Sequence, residues 1–230
     1  MVAGMNPRDL ARLLDHTLLR PDATAAQIRA LCDEAVRHGF HSVCVHGGYV
    51  ATASIHLHFK DPLVACVVGF PLGAGATAAR VAEARQACED GAAELDVVAR
   101  IGALIDGEEG LFLDDLAALS EAAAGTPVKA ILETALLTDA QKRRGAALAK
   151  EAGCAFVKTS TGFGPAGATV ADVRLLREVV GADVGVKASG GIRDLETALA
   201  MLEAGANRLG TSSSVALVQA AGSPEAPSAG

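Results

Sequence analysis

The sequence predicts a single-domain (β/α)8 barrel with an extra N-terminal helix. Three observations predict it. Eight short apolar runs alternate with longer amphipathic stretches. A phrase of helix end, Gly, small residue and strand recurs as RHGFHSV, EDGAAEL, EAGCAFV and EAGANRL. The chain is 230 residues long, and such a barrel takes about 200–250 residues as one unit. Alternation of this kind makes the strands parallel with right-handed crossovers. An open doubly wound sheet is the rival arrangement, but eight strands is the number that closes the barrel.

In chain order the strand runs are 13–17 (LLDHT), 42–45 (SVCV), 63–68 (LVACVV), 94–99 (ELDVVA), 128–132 (VKAIL), 155–159 (AFVKT), 184–188 (VGVKA) and 207–210 (NRLG). They are too continuously apolar for a sheet with one wet face. Helices are expected over 24–38, 77–90, 138–152, 169–180 and 195–204, each followed by or ending at a glycine. Thr24 and Asp194 are caps, since a side-chain oxygen satisfies the first free N–H groups and glycine tolerates the left-handed stop. The stretch GGYVATASIHLHF also reads as a helix. Residues 1–219 are expected to form the barrel and 220–230 (AAGSPEAPSAG) a loose tail.

Apolar residues make up 50% of the chain and charged residues 20%, which excludes a disordered chain. With a net charge of −7 there is no global positive field, so neither nucleic acid nor an anionic membrane is an expected partner. Residues 63–79 are uncharged but broken by Gly69, Pro71, Gly73 and Gly75. A buried strand followed by a glycine loop fits them better than a membrane span. The five cysteines (32, 44, 66, 88, 154) are odd in number and contain no C-x-x-C. Reduced thiols and a cytoplasmic location are therefore expected, and no basic segment followed by an apolar core opens the chain. The six histidines form no metal-site spacing, so no metal is expected.

The chemistry lies in the lysines. Lys129, Lys158 and Lys187 each follow a valine inside an apolar strand, and each is 29 residues from the next. One repeat of constant length then puts three ammonium groups at similar height on adjacent strands, facing the barrel interior. A lysine facing the helices would be costly there. Clustered ammonium groups lower the pKa of at least one, and a neutral lysine is a nucleophile suited to Schiff-base chemistry. The alternative is structural pairing with carboxylates. Asp15 and Asp96 interrupt apolar strands, and Glu133 follows the strand of Lys129, so all are expected to converge on the lysines.

Three small-residue turns follow the last three strands, at 160–162, 189–191 and 210–213. Exposed N–H groups and a following helix N-terminus suit a phosphate, with Arg193 adding charge. Gly162, Gly164 and Gly167 spell G-x-G-x-x-G, but the acid a dinucleotide site wants at the end of the next strand is missing, where Lys187 and Ser189 stand instead. Cys44 is placed at the same rim, either as a small hydrophobe or as a thiol near bound aldehydes.

Over nearly the whole chain the sequence resembles the deoxyribose-phosphate aldolases. The matching motifs are DHTLL, VVGFPLG, ELDVV, VKAILET, FVKTSTGF, VKASGGIR and RLGTSSS. The resemblance implies a class I lyase that cleaves 2-deoxyribose 5-phosphate to glyceraldehyde 3-phosphate and acetaldehyde without a cofactor. It implies Lys158 as the Schiff-base residue, Lys187 and Asp96 as proton carriers, and Asp15 and Lys129 in support. Phosphate contacts would fall at Gly162, Gly190, Gly191, Ser212 and Ser213, with Thr159 and Cys44 near the substrate. A homodimer or higher homo-oligomer is expected. After ELDVV many members read I-N-I-G, where this chain has Ala99-Arg100-Ile101-Gly102.

Overall fold

The computed structural model describes residues 5–222. Eight parallel strands close on themselves in chain order, the last pairing with the first. They are β1 (Leu14–Thr17), β2 (Ser42–His46), β3 (Leu63–Val68), β4 (Glu94–Val98), β5 (Val128–Ile131), β6 (Phe156–Lys158), β7 (Gly185–Ser189) and β8 (Arg208–Thr211). Each falls within a residue or two of its expected place. The extra N-terminal helix is α1 (Pro7–Ala11), and the outer helices continue as α2 (Ala25–His38), α3 (Val50–His56), α4 (Thr77–Glu89), α5 (Ile101–Asp106), α6 (Glu109–Ala122), α7 (Asp139–Glu151), α8 (Val170–Val180), α9 (Leu195–Glu203) and α10 (Ser214–Gly222).

Caps explain several boundaries. Thr24 and Gln27 form a reciprocal capping box on α2, and Thr138 and Gln141 another on α7. Thr169 caps α8 and Asp194 caps α9. Gly39 ends α2 in the left-handed region at φ 70°.

α5 and α6 were not expected. Neither begins with a side-chain cap, so the usual start signal is missing. The signal present is the apolar spacing of Phe112, Leu116 and Leu119 on α6, all fully buried. α10 runs through Gly222, so Ala220–Gly222, expected in the loose tail, are helical. The rest of that tail, residues 223–230, lies outside the described residues.

Two kinds of interior result. Outward strand residues such as Val43, Val64, Leu95, Val128, Val157, Val186 and Leu209 meet the helices in one apolar mantle. Among the described residues no helix is long and apolar enough to cross a membrane. The space inside the barrel fills in layers of four side chains from alternate strands. The register gives these layers from bottom to top as Ser42, Glu94, Phe156 and Arg208; Asp15, Ala65, Lys129 and Lys187; Cys44, Asp96, Lys158 and Gly210; then Thr17, Val67, Ile131 and Ser189. The interior is thus charged on most sides and apolar where β2 and β3 meet, at Cys44, Ala65 and Val67.

A second buried ion pair lies outside the barrel. Arg80 Nη1 donates to Asp115 Oδ2 at 2.7 Å, with both side chains almost fully buried. Arg80 also donates to the Val98 carbonyl, and Thr77 Oγ1 to Asp115 Oδ1 at 2.7 Å. Arg100 joins this cluster, its Nε 3.6 Å from Asp115 and its Nη2 donating to the Gly75 carbonyl at 3.2 Å. That is the structural role of Arg100, which with Ala99 is where the chain departs from I-N-I-G.

Candidate active site

The three lysines do face the interior together, but not at one height. Lys158 and Lys187 are register partners, whereas Lys129 pairs with Phe156, one inward position below Lys158. Equal spacing in sequence does not give equal height, because each strand of a closed barrel is staggered against the next. Lys129 and Lys187 share one layer, and Lys158 sits a layer nearer the C-terminal mouth, where barrel enzymes do their chemistry.

Asp96 binds all three lysines. Its Oδ2 accepts from Lys158 Nζ and Lys187 Nζ at 2.7 Å each, and its Oδ1 accepts from Lys129 Nζ at 2.8 Å. Lys129 has a second carboxylate in Glu94 at 2.7 Å, and Lys187 one in Asp15 at 2.5 Å. Among the described residues Lys158, alone of the three lysines, has no carboxylate beyond the Asp96 oxygen it shares.

That inequality sets the direction in which each amine shifts. Burial pushes the Lys158 amine down, Asp96 only partly offsets this, and the Lys187 ammonium adds to the lowering. Burial acts on Lys129 and Lys187 too, but the carboxylates outweigh it and hold both above the usual lysine value. Burial would raise the carboxyl groups of Asp96 and Asp15, yet the cations around them hold both well below the carboxylate range.

Above the lysines opens a cavity of about 250 Å³ lined by Lys158, Leu19, Thr161, Phe163, the turn Ser189–Arg193 and the turn Gly210–Ser212, among others. Gly162, Gly190 and Gly191 line it with φ of 86°, 85° and 78°, a region open to glycine and costly for most other residues. These turns and Lys158 therefore share one cavity, and Arg193 and Ser212 line it too. Ser213 does not line it, and its N–H is spent on Thr211 Oγ1 at 2.9 Å. Thr159 is also set back. Its neighbour in sequence points inward, so it points outward, where its hydroxyl donates to the Ser189 carbonyl and accepts from the Ser189 N–H.

Two further expectations change. Glu133 does not join the lysines. It is buried in a left-handed conformation (φ 50°) and accepts from the Thr161 N–H and hydroxyl, pinning the loop after β6. Cys44 lies mid-strand rather than at the rim, in the layer of Asp96 and Lys158, and is fully buried. Burial raises its thiol, which makes it a poor nucleophile. The G-x-G-x-x-G glycines serve close packing. A Cβ on Gly167 would strike the Gly190 carbonyl and one on Gly164 the Glu133 carboxylate.

Sequence reasoning passed over Glu94 and Arg208, the charged floor beneath the lysines. The available signal was parity. Glu94 stands two residues before Asp96, and Arg208 two before Gly210, on the same inward faces. Among the described residues no group of three or more His, Cys, Asp or Glu side chains is placed to hold a metal ion.

A family model described as DeoC/LacD family aldolase matches residues 10–220. The deoxyribose-phosphate aldolase of Thermococcus gammatolerans is 54% identical over 221 residues, covering 94% of this chain and 98% of that protein. Deoxyribose-phosphate aldolase 1 of Bacillus licheniformis is 51% identical over 213 residues, covering 92% and 96%. Among solved structures, the tetrameric deoxyribose phosphate aldolase of Aeropyrum pernix superposes with a TM-score of 0.88 at 34% identity, covering 93% of this chain and 91% of that one.

Proposed function

The chain belongs to the DeoC/LacD aldolase family, and on that premise we propose that it cleaves 2-deoxyribose 5-phosphate reversibly to glyceraldehyde 3-phosphate and acetaldehyde through a Schiff base on Lys158. The observation that carries the assignment of Lys158 is its position. It is the lysine nearest the mouth, it lines the cavity, and it has only a shared carboxylate oxygen to hold its proton.

The neutral Lys158 amine attacks the C1 aldehyde of the open-chain sugar. The carbinolamine takes a proton on its hydroxyl and loses water, leaving an iminium. Removal of the C3 hydroxyl proton lets the C2–C3 bond break, its electron pair flowing into the iminium to give an enamine. Glyceraldehyde 3-phosphate leaves, the enamine is protonated at carbon, and hydrolysis frees acetaldehyde and the amine. Asp96 Oδ2 accepts from both Lys158 Nζ and Lys187 Nζ, and through that shared oxygen Asp96 and Lys187 move these protons. The lysine itself is the electron sink, so the reaction calls for no cofactor.

The phosphate sits against the turns carrying Gly162, Gly190, Gly191 and Ser212, with Arg193 nearby. Leu19, which lines the cavity with Lys158 and is backed by the apolar cluster of Cys44, Ala65, Val67 and Phe70, suits the two-carbon fragment. Asp15 and Lys129 support the cluster from the layer below. The barrel is one domain that runs on through α10, the protein is cytoplasmic, and it works as a homodimer or higher oligomer. The tetrameric Aeropyrum relative supports the last point, as do the exposed apolar side chains Ile55 and Phe59.

Borohydride reduction in the presence of acetaldehyde, followed by peptide mass mapping, tests the reading. One reduced two-carbon adduct is expected, on Lys158. An adduct on another lysine, or none, overturns it.

A further inference from the structure

Arg208 is the fourth cation of the barrel interior, in the layer below Lys129 and Lys187 and at the end away from the cavity. It is 8% exposed. Its Nη1 lies 2.9 Å from Asp15 Oδ1 and 3.3 Å from Glu94 Oε2, and its guanidinium carbon lies 5.6 Å from the centre of the Phe156 ring. It does not line the cavity, so it has no contact with a substrate held there.

The groups that face the cluster come from every strand that carries a titratable side chain there. β1 supplies Asp15, β2 the neutral thiol of Cys44, and β4 both Glu94 and Asp96. β5, β6, β7 and β8 supply Lys129, Lys158, Lys187 and Arg208, and His41, just before β2, lies 3.5 Å from Glu94. Four cationic side chains thus meet three carboxylates. A guanidinium keeps its charge at any working pH, while an ammonium can shed its proton. A buried excess charge is costly, and the least costly relief is to deprotonate one lysine.

The layout selects which one. Arg208 leans on the two carboxylates that also serve as the second partners of Lys187 and Lys129. Those two lysines must therefore draw on Asp96 as well, which leaves Lys158 with a shared oxygen. We propose that Arg208 is a positioning residue for catalysis, whose fixed charge on Asp15 and Glu94 leaves the interior one carboxylate short and so keeps the Lys158 amine unprotonated. This rests on the reading of Lys158 as the Schiff-base residue.

The test is the pH dependence of borohydride trapping of acetaldehyde on Lys158, read by peptide mass, with the melting temperature of each variant alongside. Arg208→Gln leaves three lysines with three carboxylates. Its trapping midpoint should rise by about one pH unit, which is about a tenfold loss of trapping below the midpoint. Arg208→Lys keeps the charge and should return the midpoint to the parent value. Glu94→Gln changes the count the other way and should lower it. A structural defect alone would lower the melting temperature of either variant and leave both midpoints in place, and that result overturns the proposal. If Arg208→Gln does not fold, the Glu94→Gln midpoint decides alone, a downward shift supporting the proposal and an unmoved one overturning it. A parent that yields no adduct on Lys158 instead overturns the Schiff-base reading, a result distinct from any shift among the variants.

Discussion

Lys158 and Lys187 face each other across β6 and β7 as register partners and reach the same atom, Asp96 Oδ2, at 2.7 Å each. Two ammonium groups on one carboxylate oxygen repel, so the pair favours one proton fewer. Asp15 holds a proton on Lys187, so Lys158 is the partner that gives up its proton more easily.

Lys158→Ala and Lys158→Arg should both abolish cleavage and borohydride trapping while leaving the fold intact. Alanine removes the amine, and a guanidinium cannot be deprotonated to act as one. Circular dichroism checks the fold. Substantial turnover in either variant would move the nucleophile to another lysine.

Lys187→Leu removes a positive neighbour of Lys158 and frees Asp96 Oδ2 for it alone. Both changes favour the protonated amine, so the Lys158 pKa rises from its lowered position. The acid limb of the kcat/KM profile should move to higher pH, and activity at neutral pH should fall about tenfold for each pH unit the limb moves. A profile left in place with a lower melting temperature would make Lys187 purely structural.

Gly191→Asp should sharply lower kcat/KM for 2-deoxyribose 5-phosphate and much less for unphosphorylated 2-deoxyribose, which has no charge to repel. A Cβ at Gly191 meets nothing within 4 Å, but its φ is 78°. Gly191→Asn shares that backbone strain without the charge and is the control, because Asn and Asp both tolerate this region. The ratio of the two specificity constants is the observable. An equal fall for both substrates in the Asp variant would place the phosphate elsewhere.

Asp115→Asn leaves the Arg80 guanidinium buried without its carboxylate. Breaking a buried ion pair from one side costs about 3–5 kcal/mol, which lowers the melting temperature by about 10 °C in a chain of this size. Differential scanning calorimetry measures it. A fall below about 2 °C would mean that the Val98 carbonyl and solvent satisfy Arg80 without Asp115.

The sequence by itself determined the order of the strands, their closure into eight parallel strands, the inward direction of Lys129, Lys158 and Lys187, and the glycine turns that meet at the mouth. Each follows from a local rule. Capping oxygens and glycines punctuate helices such as α2 and α7 at their own ends, and the two-residue alternation of a strand assigns a side chain to one face. α5 and α6 escaped because that punctuation is missing at their starts. Only the tertiary structure decided which charges meet. The stagger that drops Lys129 a layer below Lys158 is a property of the whole closed ladder. Asp15 reaches Arg208 across 193 positions of sequence only because β1 pairs with β8. Glu133 turns away to Thr161 because a left-handed residue redirects the chain after β5. Coulomb energies depend on distances of a few ångströms between groups far apart in sequence, so which lysine loses its proton most easily is fixed by the closed barrel and not by any local pattern.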